Sequence, residues 1–256
     1  MDICVLSGAS SGFGYEIALT LEKNIKVDEV WIIARRENLL NELKDKLNIK
    51  CRVLAYDLTK KESIDSYAKL LDEIKPNIKY LFNVSGYGTF GRFKDIDINK
   101  WDNMIDLNIK SLVDMTYHSI KYMSKDSHIL NISSMSAFAP LPYLTVYAAS
   151  KSFVLSFTRG LNFELKSKGI HAHALCPYWT NTNFINVAKS DDNSIINHFD
   201  KIYEPSFVID YMWKKMKKNK EVIIPGHHAR MIARGEKIFS HSFAMKVWAR
   251  SQNIKD

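Results

Sequence analysis

Short apolar runs rich in β-branched residues alternate with longer segments of helical period, and no other feature of this chain constrains its fold as strongly. Each connection has the length of a helix, so the strands should pair in parallel, with helices covering both faces of one sheet. The sequence therefore predicts an α/β fold with a doubly wound parallel sheet of about seven strands. Strands are predicted near Ile3–Leu6, Val30–Ala34, Arg52–Ala55, Tyr80–Val84, His128–Ser133, His171–Leu175 and Val222–Ile224.

The 256 residues are predicted to form one domain, because no linker, repeat or low-complexity tract divides them. Hydrophobic residues make up 46% and charged residues 25%, as in ordinary globular proteins. Thr59 and Glu62 predict a capping box ahead of one helix. Residues 181–205 lack a regular pattern, which predicts a lid, with a surface helix pair as the alternative. Residues from about 226 to 256 are interpreted as a C-terminal extension.

The chain carries 36 Lys and Arg against 28 Asp and Glu, a net charge of +8, which raises the question of a nucleic-acid or membrane partner. The lysines are scattered, and the one dense cluster, Lys214–Lys218, flanks Met216 as the wet face of a surface helix would. We therefore predict no nucleic-acid partner. No apolar run approaches the roughly 18 residues of a membrane span, and no basic export signal opens the sequence, so a cytoplasmic protein is expected.

Cys4, Cys51 and Cys176 lie far apart and form neither a metal-binding spacing nor a redox pair. His227 and His228 resemble half of a metal site, but no third ligand lies nearby in the sequence. We therefore predict no metal site, and the unpaired thiols fit a reducing compartment.

A glycine-rich loop, Ser-Gly-Ala-Ser-Ser-Gly-Phe-Gly at residues 7–14, follows the first predicted strand. Glycines between a strand and a helix let the backbone approach a pyrophosphate, and the helix N-terminus supplies free N–H groups and a positive dipole. The loop therefore predicts a dinucleotide site in a Rossmann-type fold. Its spacing is Gly-x3-Gly-x-Gly instead of the commoner Gly-x-Gly-x2-Gly, so a plain tight turn is the alternative.

Tyr147 and Lys151 lie four residues apart in a predicted helix, so both side chains project from one face. A free tyrosine has a pKa of about 10, and a nearby ammonium favours its ionised form. The pair could therefore exchange a proton near neutral pH. A Tyr and a Lys four residues apart also occur by chance on many solvent-exposed helix faces. Other motifs must therefore decide between a catalytic pair and an ordinary helix surface.

Those motifs resemble the short-chain dehydrogenase/reductase family from residue 3 to about residue 184. Asp57 in Tyr-Asp-Leu-Thr resembles the acid that contacts adenine in that family, and Asn83-Val84-Ser85-Gly86 resembles its Asn-Asn-Ala-Gly turn. The resemblance implies reversible hydride transfer between a nicotinamide cofactor and a secondary alcohol or ketone. It also implies a catalytic tetrad of Asn108, Ser134, Tyr147 and Lys151.

Within this tetrad the resemblance makes Tyr147 the general acid for ketone reduction. Lys151 would also bind the nicotinamide ribose and pass protons towards a water near Asn108. Neighbours on a strand face opposite sides, so only one of Ser133 and Ser134 can face the site. The family's usual gap to the tyrosine selects Ser134 to polarise the substrate oxygen, and the Ser133 hydroxyl is predicted to bond to backbone.

The glycine loop and the resemblance together imply one cofactor site, in which Thr182 holds the nicotinamide carboxamide. The predicted cofactor-binding residues are Gly8, Ser10, Ser11, Gly12, Phe13, Gly14, Arg35, Arg36, Asp57, Leu58, Asn83, Val84, Ser85, Tyr147, Lys151, Pro177, Thr180 and Thr182.

The end of the second strand, Trp-Ile-Ile-Ala-Arg-Arg, predicts NADP(H) as the cofactor. A carboxylate at Ala34 would bind the ribose hydroxyls of NAD, and none is present. Arg35 offers a planar donor fork suited to phosphate, whereas Arg36 either adds charge or begins the next helix. Ser11 stands where many NADP-using relatives carry a second basic residue, so a moderate preference is expected.

Aromatic residues crowd the segments expected to wall the substrate, which predicts an apolar, ring-sized substrate of hydroxysteroid or bile-acid type. A fatty-acyl or small aromatic ketone is the alternative. Among the departures from the family pattern, Ser7, Phe13 and Ser85 are conservative, whereas Tyr178 replaces a Gly and should reshape the pocket. The predicted substrate residues are Ser134, Phe138, Tyr143, Tyr147, Tyr178, Trp179 and Phe184, with Tyr87, Phe90 and Phe93 as further wall candidates.

Two other classes of protein share part of this pattern. A non-catalytic NADP(H)-sensing protein would share the fold, but the intact Ser134, Tyr147 and Lys151 favour an enzyme. An extended sugar-nucleotide epimerase shares Tyr-x3-Lys but has a longer chain and a different glycine spacing.

Two further surfaces are predicted from helical patterns. Apolar residues beyond a single stripe after Tyr147 predict a homodimer or homotetramer contact, with burial inside the subunit as the alternative. The run Met231–Trp248 is basic and partly amphipathic, and a place over the protein's own active-site mouth is favoured over a membrane or subunit contact.

Overall fold

The computed structural model describes residues 1–189 and 195–254, and strands of this part of the chain form one parallel sheet. The strands are β1 Asp2–Ser7, β2 Glu29–Ala34, β3 Cys51–Ala55, β4 Asn77–Asn83, β5 His128–Ile132, β6 His171–Leu175 and β7 Val222–Ile223. Their order is β3-β2-β1-β4-β5-β6-β7, and every neighbouring pair is parallel. The predicted doubly wound α/β fold is confirmed, and each predicted strand is present.

Helices connect the strands and follow the last one. They are α1 Gly12–Asn24, α2 Glu37–Lys44, α3 Lys61–Ile74, α4 Ile98–Ile105, α5 Ser111–Ile120, α6 Thr145–Leu165, α7 Phe184–Ala188, α8 Pro205–Met216, α9 His227–Gly235 and α10 His241–Ser251. A π-helical turn, Asp106–Lys110, joins α4 to α5, and short 3₁₀ turns lie at Phe93–Asp95, Met135–Ala137 and Lys166–Lys168.

The hydrophobic core lies in two layers, one on each face of the sheet. Side chains of a strand alternate between faces, so Cys4 and Leu6 of β1 pack with α1 and α8, whereas Ile3 and Val5 pack with α3, α5 and α6. These four side chains are fully buried. Both faces of the sheet are therefore covered, and its carboxyl edge is the place left for a ligand.

The strand order reverses between β1 and β4, because the chain runs outward from β1 to β3 and then returns to pair β4 with β1. In such sheets the crevice at the carboxyl ends of these two strands is where ligands bind. The loop after β1 and the turn after β4 meet there.

Ser7 at the end of β1 holds this junction together. Its Oγ accepts hydrogen bonds from the backbone N–H groups of Val84 at 3.0 Å and Ser85 at 3.3 Å. Gly8 follows with a φ of +71°, and a Cβ there would lie 2.8 Å from the Ser85 nitrogen. Only glycine allows the two chain segments to approach this closely.

The expected capping box at Thr59 is wrong. Helix α3 begins at Lys61, after Lys60, and the Thr59 hydroxyl instead donates to Asp57 Oδ1 at 2.8 Å. The Thr59 N–H donates to the same oxygen at 3.1 Å. The carboxylate is a stronger acceptor than a neutral group, so it holds Thr59 in a turn that precedes the helix.

The cluster Lys214–Lys218 lies at the end of α8, where Met216 is buried and Lys214, Lys217 and Lys218 are exposed. The predicted solvent-exposed helix face is confirmed.

In the described part of the chain, no helix is both long and apolar enough to cross a membrane. Of the segment predicted as a lid, residues 190–194 lie outside the described residues, and the remainder contains α7 and the approach to α8.

We expect Ser7→Ala to lower the free energy of unfolding by about 1–3 kcal/mol, because it leaves two backbone N–H groups at the junction without their acceptor. Ser7→Thr keeps the hydroxyl and should stay close to wild type. Urea denaturation of the three proteins measures the difference, and equal loss in both variants would show that packing, not the hydroxyl, is responsible.

Candidate active site

Tyr147 and Lys151 project from one face of α6 beside the carboxyl end of β5, and they are only 7% and 5% exposed. Lys151 Nζ donates to the Ile132 carbonyl at 2.9 Å and lies 5.7 Å from the centre of the Tyr147 ring. This backbone contact positions the ammonium near the phenol without a salt bridge to neutralise it.

Burial dominates the protonation of both groups. It raises the pKa of Tyr147 to about 12, although a hydrogen bond with Ser134 acts in the opposite direction. It also lowers the pKa of Lys151 to about 8. In the protein alone, the loss of water thus outweighs the effect of Ser134, and the pKa of Tyr147 lies above its ordinary value. At neutral pH the phenol is a proton donor.

The serine at the end of β5 faces this pair. Ser134 Oγ accepts from the Ser136 N–H at 3.1 Å, and Ser134 acts to lower the pKa of Tyr147. The Ser133 hydroxyl instead donates to the Lys151 carbonyl at 2.8 Å, as predicted for a residue on the opposite side of the strand. The structure thus brings Ser134, not Ser133, to the tyrosine.

Asn108 lies in the π-helical turn Asp106–Lys110, and its side chain is held on several sides. Its Nδ2 donates to the Tyr87 carbonyl at 2.9 Å and to Ser150 Oγ at 3.2 Å, while its Oδ1 accepts from the Tyr87 N–H at 3.1 Å. A Cβ at Gly86 would lie 2.9 Å from Asn108 Oδ1 and 3.3 Å from Lys151 Nζ. The glycine therefore allows the chain to pass close to both residues.

The glycine loop after β1 forms a cradle at the N-terminus of α1. A Cβ at Gly14 would lie 2.2 Å from the Gly8 carbonyl oxygen, so this loop cannot close with any larger residue there. Ser11 precedes α1 but makes no side-chain cap, which leaves the first-turn N–H groups uncapped by it. Thr182 lies across the loop, 3.8 Å from the position of a Cβ at Gly12. These features fit a pyrophosphate at the helix N-terminus.

The two arginines after β2 occupy different places. Arg36 precedes α2 and folds over the glycine loop, donating to Ser10 Oγ at 3.1 Å and Ser11 Oγ at 3.4 Å. Arg35 is exposed, and its charge acts to lower the pKa of Tyr87, which burial raises. The sequence left open whether Arg36 adds charge to the phosphate site or begins a helix. Arg36 is the residue that precedes α2, and its charge at the phosphate site stays a prediction.

Two predicted cofactor residues have additional structural roles. The Asp57 carboxylate organises the turn that contains Leu58 and Thr59. The Asn83 side chain is buried and donates to Asn131 Oδ1 at 2.9 Å and to Thr116 Oγ1 at 3.0 Å. Asn83 thus ties β4 to β5 through its side chain, and this use was not expected.

One apolar cavity of about 440 Å³ opens above Ser134 and Tyr147. This volume is typical of small-molecule sites, which span roughly 300–1,000 Å³. Many predicted residues line it: Phe13, Ser134, Tyr147, Pro177, Tyr178, Trp179, Thr180, Thr182 and Phe184. Residues beside the glycine loop and the aromatic residues therefore line the same cavity.

The assignment of Phe138 and Tyr143 to the substrate wall stays a prediction, and these residues lie outside the lining of the cavity. Phe138 packs behind the wall against Met135 and Ala229. Tyr143 adopts a φ of +65°, which turns the chain. Neither lines the cavity.

The further wall candidates also lie elsewhere. Phe90 is fully buried in a neighbouring cluster, and Tyr87 donates its hydroxyl to the Lys100 carbonyl at 2.9 Å. Phe93 stacks on Trp101 and is 58% exposed. Closeness in sequence to a site residue did not determine which way these rings point.

The residues that form the roof of the cavity were not predicted individually. The segment that contains most of them, Met231–Trp248, was expected to lie over the mouth of the active site. Residues from α9, α10 and the turn between them line the cavity. Trp248 Nε1 donates to the Pro142 carbonyl at 3.0 Å, and Gln252 bonds to the backbone of His198 through both side-chain atoms. The roof residues are Ile232, Gly235, Glu236, Phe239, Phe243, Ala244, Val247, Trp248, Ser251 and Gln252.

Tyr178, which replaces the family's Gly, joins a hydrogen-bonded trio on the cavity wall. Its hydroxyl donates to Asp200 Oδ1 at 2.7 Å, and His228 Nε2 lies 2.9 Å from Asp200 Oδ2. Burial acts to raise the pKa of Asp200, but these two contacts outweigh it and the net shift is downward. Among the described residues, no group of three or more His, Cys, Asp or Glu side chains is placed to hold a metal ion.

The sequence model of the short chain dehydrogenase family matches residues 2–193, and the chain belongs to this family. An uncharacterized oxidoreductase of Staphylococcus epidermidis is 31% identical over 182 residues, which cover 70% of this chain and 78% of the relative. A short-chain dehydrogenase from Sphingobium yanoikuyae in complex with NADPH is 26% identical, with a TM-score of 0.79 over 93% of each chain. A 7beta-hydroxysteroid dehydrogenase, 17% identical, shares the fold, with a TM-score of 0.80 over 97% of this chain and 96% of its own.

The protein is therefore an oxidoreductase that acts on a CH–OH group of a small molecule and uses a nicotinamide cofactor. The glycine cradle at α1 fits the phosphates of such a cofactor, and the apolar cavity fits an organic substrate.

We expect the pH dependence of stability to report the buried Lys151 ammonium. Its folded pKa of about 8 lies below the unfolded value of about 10.4, so between these values only the unfolded chain keeps the proton. Relative to Lys151→Met, the free energy of unfolding of wild type should therefore rise with pH above 8, by up to roughly 1.4 kcal/mol per pH unit. Denaturation between pH 7 and 10 measures this, with Lys166→Met as the exposed control. Parallel curves for wild type and Lys151→Met would contradict it.

Proposed function

We propose that the protein interconverts a secondary alcohol and a ketone on an apolar, ring-sized skeleton of hydroxysteroid or bile-acid type, with NADP(H) as cofactor. The observation that carries this proposal is that Ser134 and Tyr147 border a largely apolar cavity that also reaches Phe13 and Thr182 beside the glycine loop. A cavity of about 440 Å³ has room for a fused-ring skeleton, and a small aromatic or fatty-acyl ketone is the alternative.

In the proposed reduction, Tyr147 donates its proton to the ketone oxygen. A phenol with a pKa of about 12 holds that proton through the neutral range, so the donor is always loaded. Ser134 Oγ accepts from the Ser136 N–H, and its own hydrogen, which acts on Tyr147 in the protein alone, turns to the substrate oxygen and polarises it when a ketone is bound. The nicotinamide, when bound, supplies the hydride.

Lys151 is proposed to hold the ribose hydroxyls and to return a proton to Tyr147 after each turnover. Its pKa of about 8 leaves it mostly charged at neutral pH but able to release a proton. The Ile132 carbonyl fixes its position, and Gly86 leaves the space between Lys151 and Asn108 narrow but open. These contacts support a proton path past Asn108 towards solvent.

The preference for NADP(H) is proposed from the two arginines. Arg36 already lies on Ser10 and Ser11 of the glycine loop, so hydroxyl and guanidinium donors converge where a ribose phosphate would lie. Arg35 adds a second positive charge, and Ala34 adds no carboxylate to repel the phosphate. The NADPH bound to the Sphingobium yanoikuyae enzyme supports the same choice.

A homodimer is proposed from exposed apolar rings on two neighbouring helices. Phe163 of α6 is 81% exposed and Tyr117 of α5 is 75% exposed, which is costly unless another surface covers them. A cytoplasmic location is proposed with it, because Cys4, Cys51 and Cys176 are all unpaired.

Replacing Tyr147 with Phe removes only the transferable proton, so we expect kcat to fall by about 10²–10⁴ while the Kd for NADPH changes little. Turnover of cyclic ketones followed by NADPH absorbance, together with fluorescence titration of NADPH, measures both. Tyr122→Phe is the control, because Tyr122 lies at the amino ends of the strands, away from the site. Its backbone carbonyl accepts from the Ile78 N–H near the start of β4. Activity of Tyr147→Phe within a few-fold of wild type would falsify the assignment.

We expect wild type to have a higher kcat/KM with NADPH than with NADH, by tenfold to a hundredfold, since one charge-assisted phosphate contact is worth roughly 1.5–3 kcal/mol. Ala34→Asp combined with Arg35→Ile should shift the ratio towards NADH, and Arg36→Met alone should weaken NADPH more than NADH. Steady-state kinetics with both cofactors measure the ratios. A wild-type ratio at or below one contradicts the proposed preference.

A further inference from the structure

Helices α9 and α10, with the turn between them, have an inner face and an outer face. The inner face packs on the protein and supplies the cavity roof, and Ala233, Ala244 and Ala249 are buried. Large apolar side chains that cluster on a surface mark an interaction site. The outer face carries five that are each at least 49% exposed: Met231, Ile238, Phe239, Phe243 and Val247.

The local geometry places the apolar side chains of the turn and of α10 together. Phe243 and Val247 are four residues apart on α10 and therefore lie on the same face of that helix. The ring centres of Phe239 and Phe243 lie 5.0 Å apart, which joins the turn to α10. Ile238, the residue before Phe239, is 79% exposed and does not line the cavity. The turn and α10 thus share one apolar patch.

Exposed cations border this patch on both helices. Lys246 and Arg250 form a second row, also four residues apart, on the exposed side of α10. Lys237 directly precedes Ile238 in the turn, and Arg234 lies in the last turn of α9. Within the described part of the chain, none of these four cations forms a salt bridge.

The charge of this outer face has one sign. Glu236 is the one acidic residue in the sequence between His227 and Ile254, and it is partly buried and lines the cavity. On other helices exposed cations are neutralised, as Lys121 is by Asp72. The outer face is therefore an apolar patch with a positively charged border.

The apolar patch is continuous with the mouth of the cavity. Phe239, Phe243 and Val247 are each about half exposed and also line the cavity. The cavity therefore opens at the outer face, and a partner that covers this face lies at the entry route of an apolar ligand.

The charge pattern distinguishes between the partners that this face could bind. A second copy of the chain would bring the cations of both copies into one interface, which is unfavourable. Apolar side chains bordered by Lys and Arg are typical of helices that lie on a membrane, where the cations contact anionic headgroups. An anionic lipid surface is the partner whose charge and apolar interior both match.

We propose that the outer face of α9 and α10 docks on the surface of an anionic lipid bilayer. The apolar side chains enter the boundary between headgroups and acyl chains, and the four cations contact lipid phosphates. The mouth of the cavity then opens towards the bilayer, where apolar ring-sized molecules concentrate. Delivery of substrate from the lipid rests on the proposed function, whereas the docking itself does not.

Flotation of the purified protein with lipid vesicles tests the docking, because it requires neither cofactor nor substrate. Vesicles of phosphatidylcholine alone are compared with vesicles of phosphatidylcholine and phosphatidylglycerol. We expect wild type to float with the mixed vesicles and far less with phosphatidylcholine alone, and added salt should weaken the binding. No flotation with the mixed vesicles, or equal flotation with both kinds, would overturn the inference.

A pair of double variants tests the border cations. Lys237→Gln combined with Lys246→Gln should weaken vesicle binding about tenfold or more, since each cation near an anionic membrane is worth roughly fivefold in affinity. Lys214→Gln combined with Lys218→Gln makes the same change of charge at the exposed end of α8 and should bind like wild type. An equal loss in both would show that net charge alone attracts the protein to the vesicles, and the outer face would have no special role.

A pair of isoleucine variants tests the apolar patch. Ile238→Ser should weaken binding about tenfold, because one aliphatic side chain no longer enters the membrane. Ile98→Ser, at a residue 62% exposed at the start of α4, is the matched control and should bind like wild type. Melting temperatures of both should equal that of wild type, since both side chains are exposed. If Ile238→Ser lost binding and also melted several degrees earlier, a structural role would replace the proposed one.

Sedimentation of the same proteins tests the second copy as the occupant. If Ile238→Ser turned a dimer into a monomer and left vesicle binding unchanged, a second copy would cover the outer face and the inference would fail. Tyr147→Phe should float like wild type, so its loss of turnover tests the proposed function separately.

Discussion

Backbone hydrogen bonds between β1 and β4 hold the site together, because these two strands carry different parts of it. The glycine loop follows β1, and the turn after β4 leads to Gly86 and Tyr87, which contact Asn108. Ser7 locks the register of the two ends by accepting both N–H groups of that turn. A one-residue slip of β4 would move Asn108, and through Gly86 the lysine, away from the loop.

The side chains proposed to transfer protons are buried, and burial of an ionisable group costs free energy. Burial raises the pKa of Tyr147 and lowers the pKa of Lys151. A protonated phenol therefore lies beside an ammonium group whose pKa is close to neutral pH. Apolar packing on both faces of the sheet supplies the stability that allows these local losses.

Sequence patterns predicted the sheet well, because buried parallel strands are continuous apolar runs and helices must separate them. The resemblance to the family selected Ser134 and Tyr147, and strand alternation and helix period agree with the place of both on the cavity. Loop geometry was less accessible: Asp57 binds the Thr59 hydroxyl and removes the expected cap, and Phe138 and Tyr143 lie in turns, where no periodic pattern gives the direction of a side chain. The roof residues follow no motif, and hydrogen bonds to the backbone of Pro142 and His198 help to position them.

The match to the family ends at residue 193, whereas α9 and α10, which roof the cavity, begin at His227. Ser134 and Tyr147 thus lie within the stretch that matches the family, whereas the roof of the cavity comes from a separate stretch of the chain. A graft of residues 227–252 from one member of the family onto another would carry a new cavity roof to an unchanged reaction centre. Its success would depend on two anchors, Trp248 on the Pro142 carbonyl and Gln252 on the backbone of His198. Substrate range in this protein can thus diverge while its catalytic motifs stay constant.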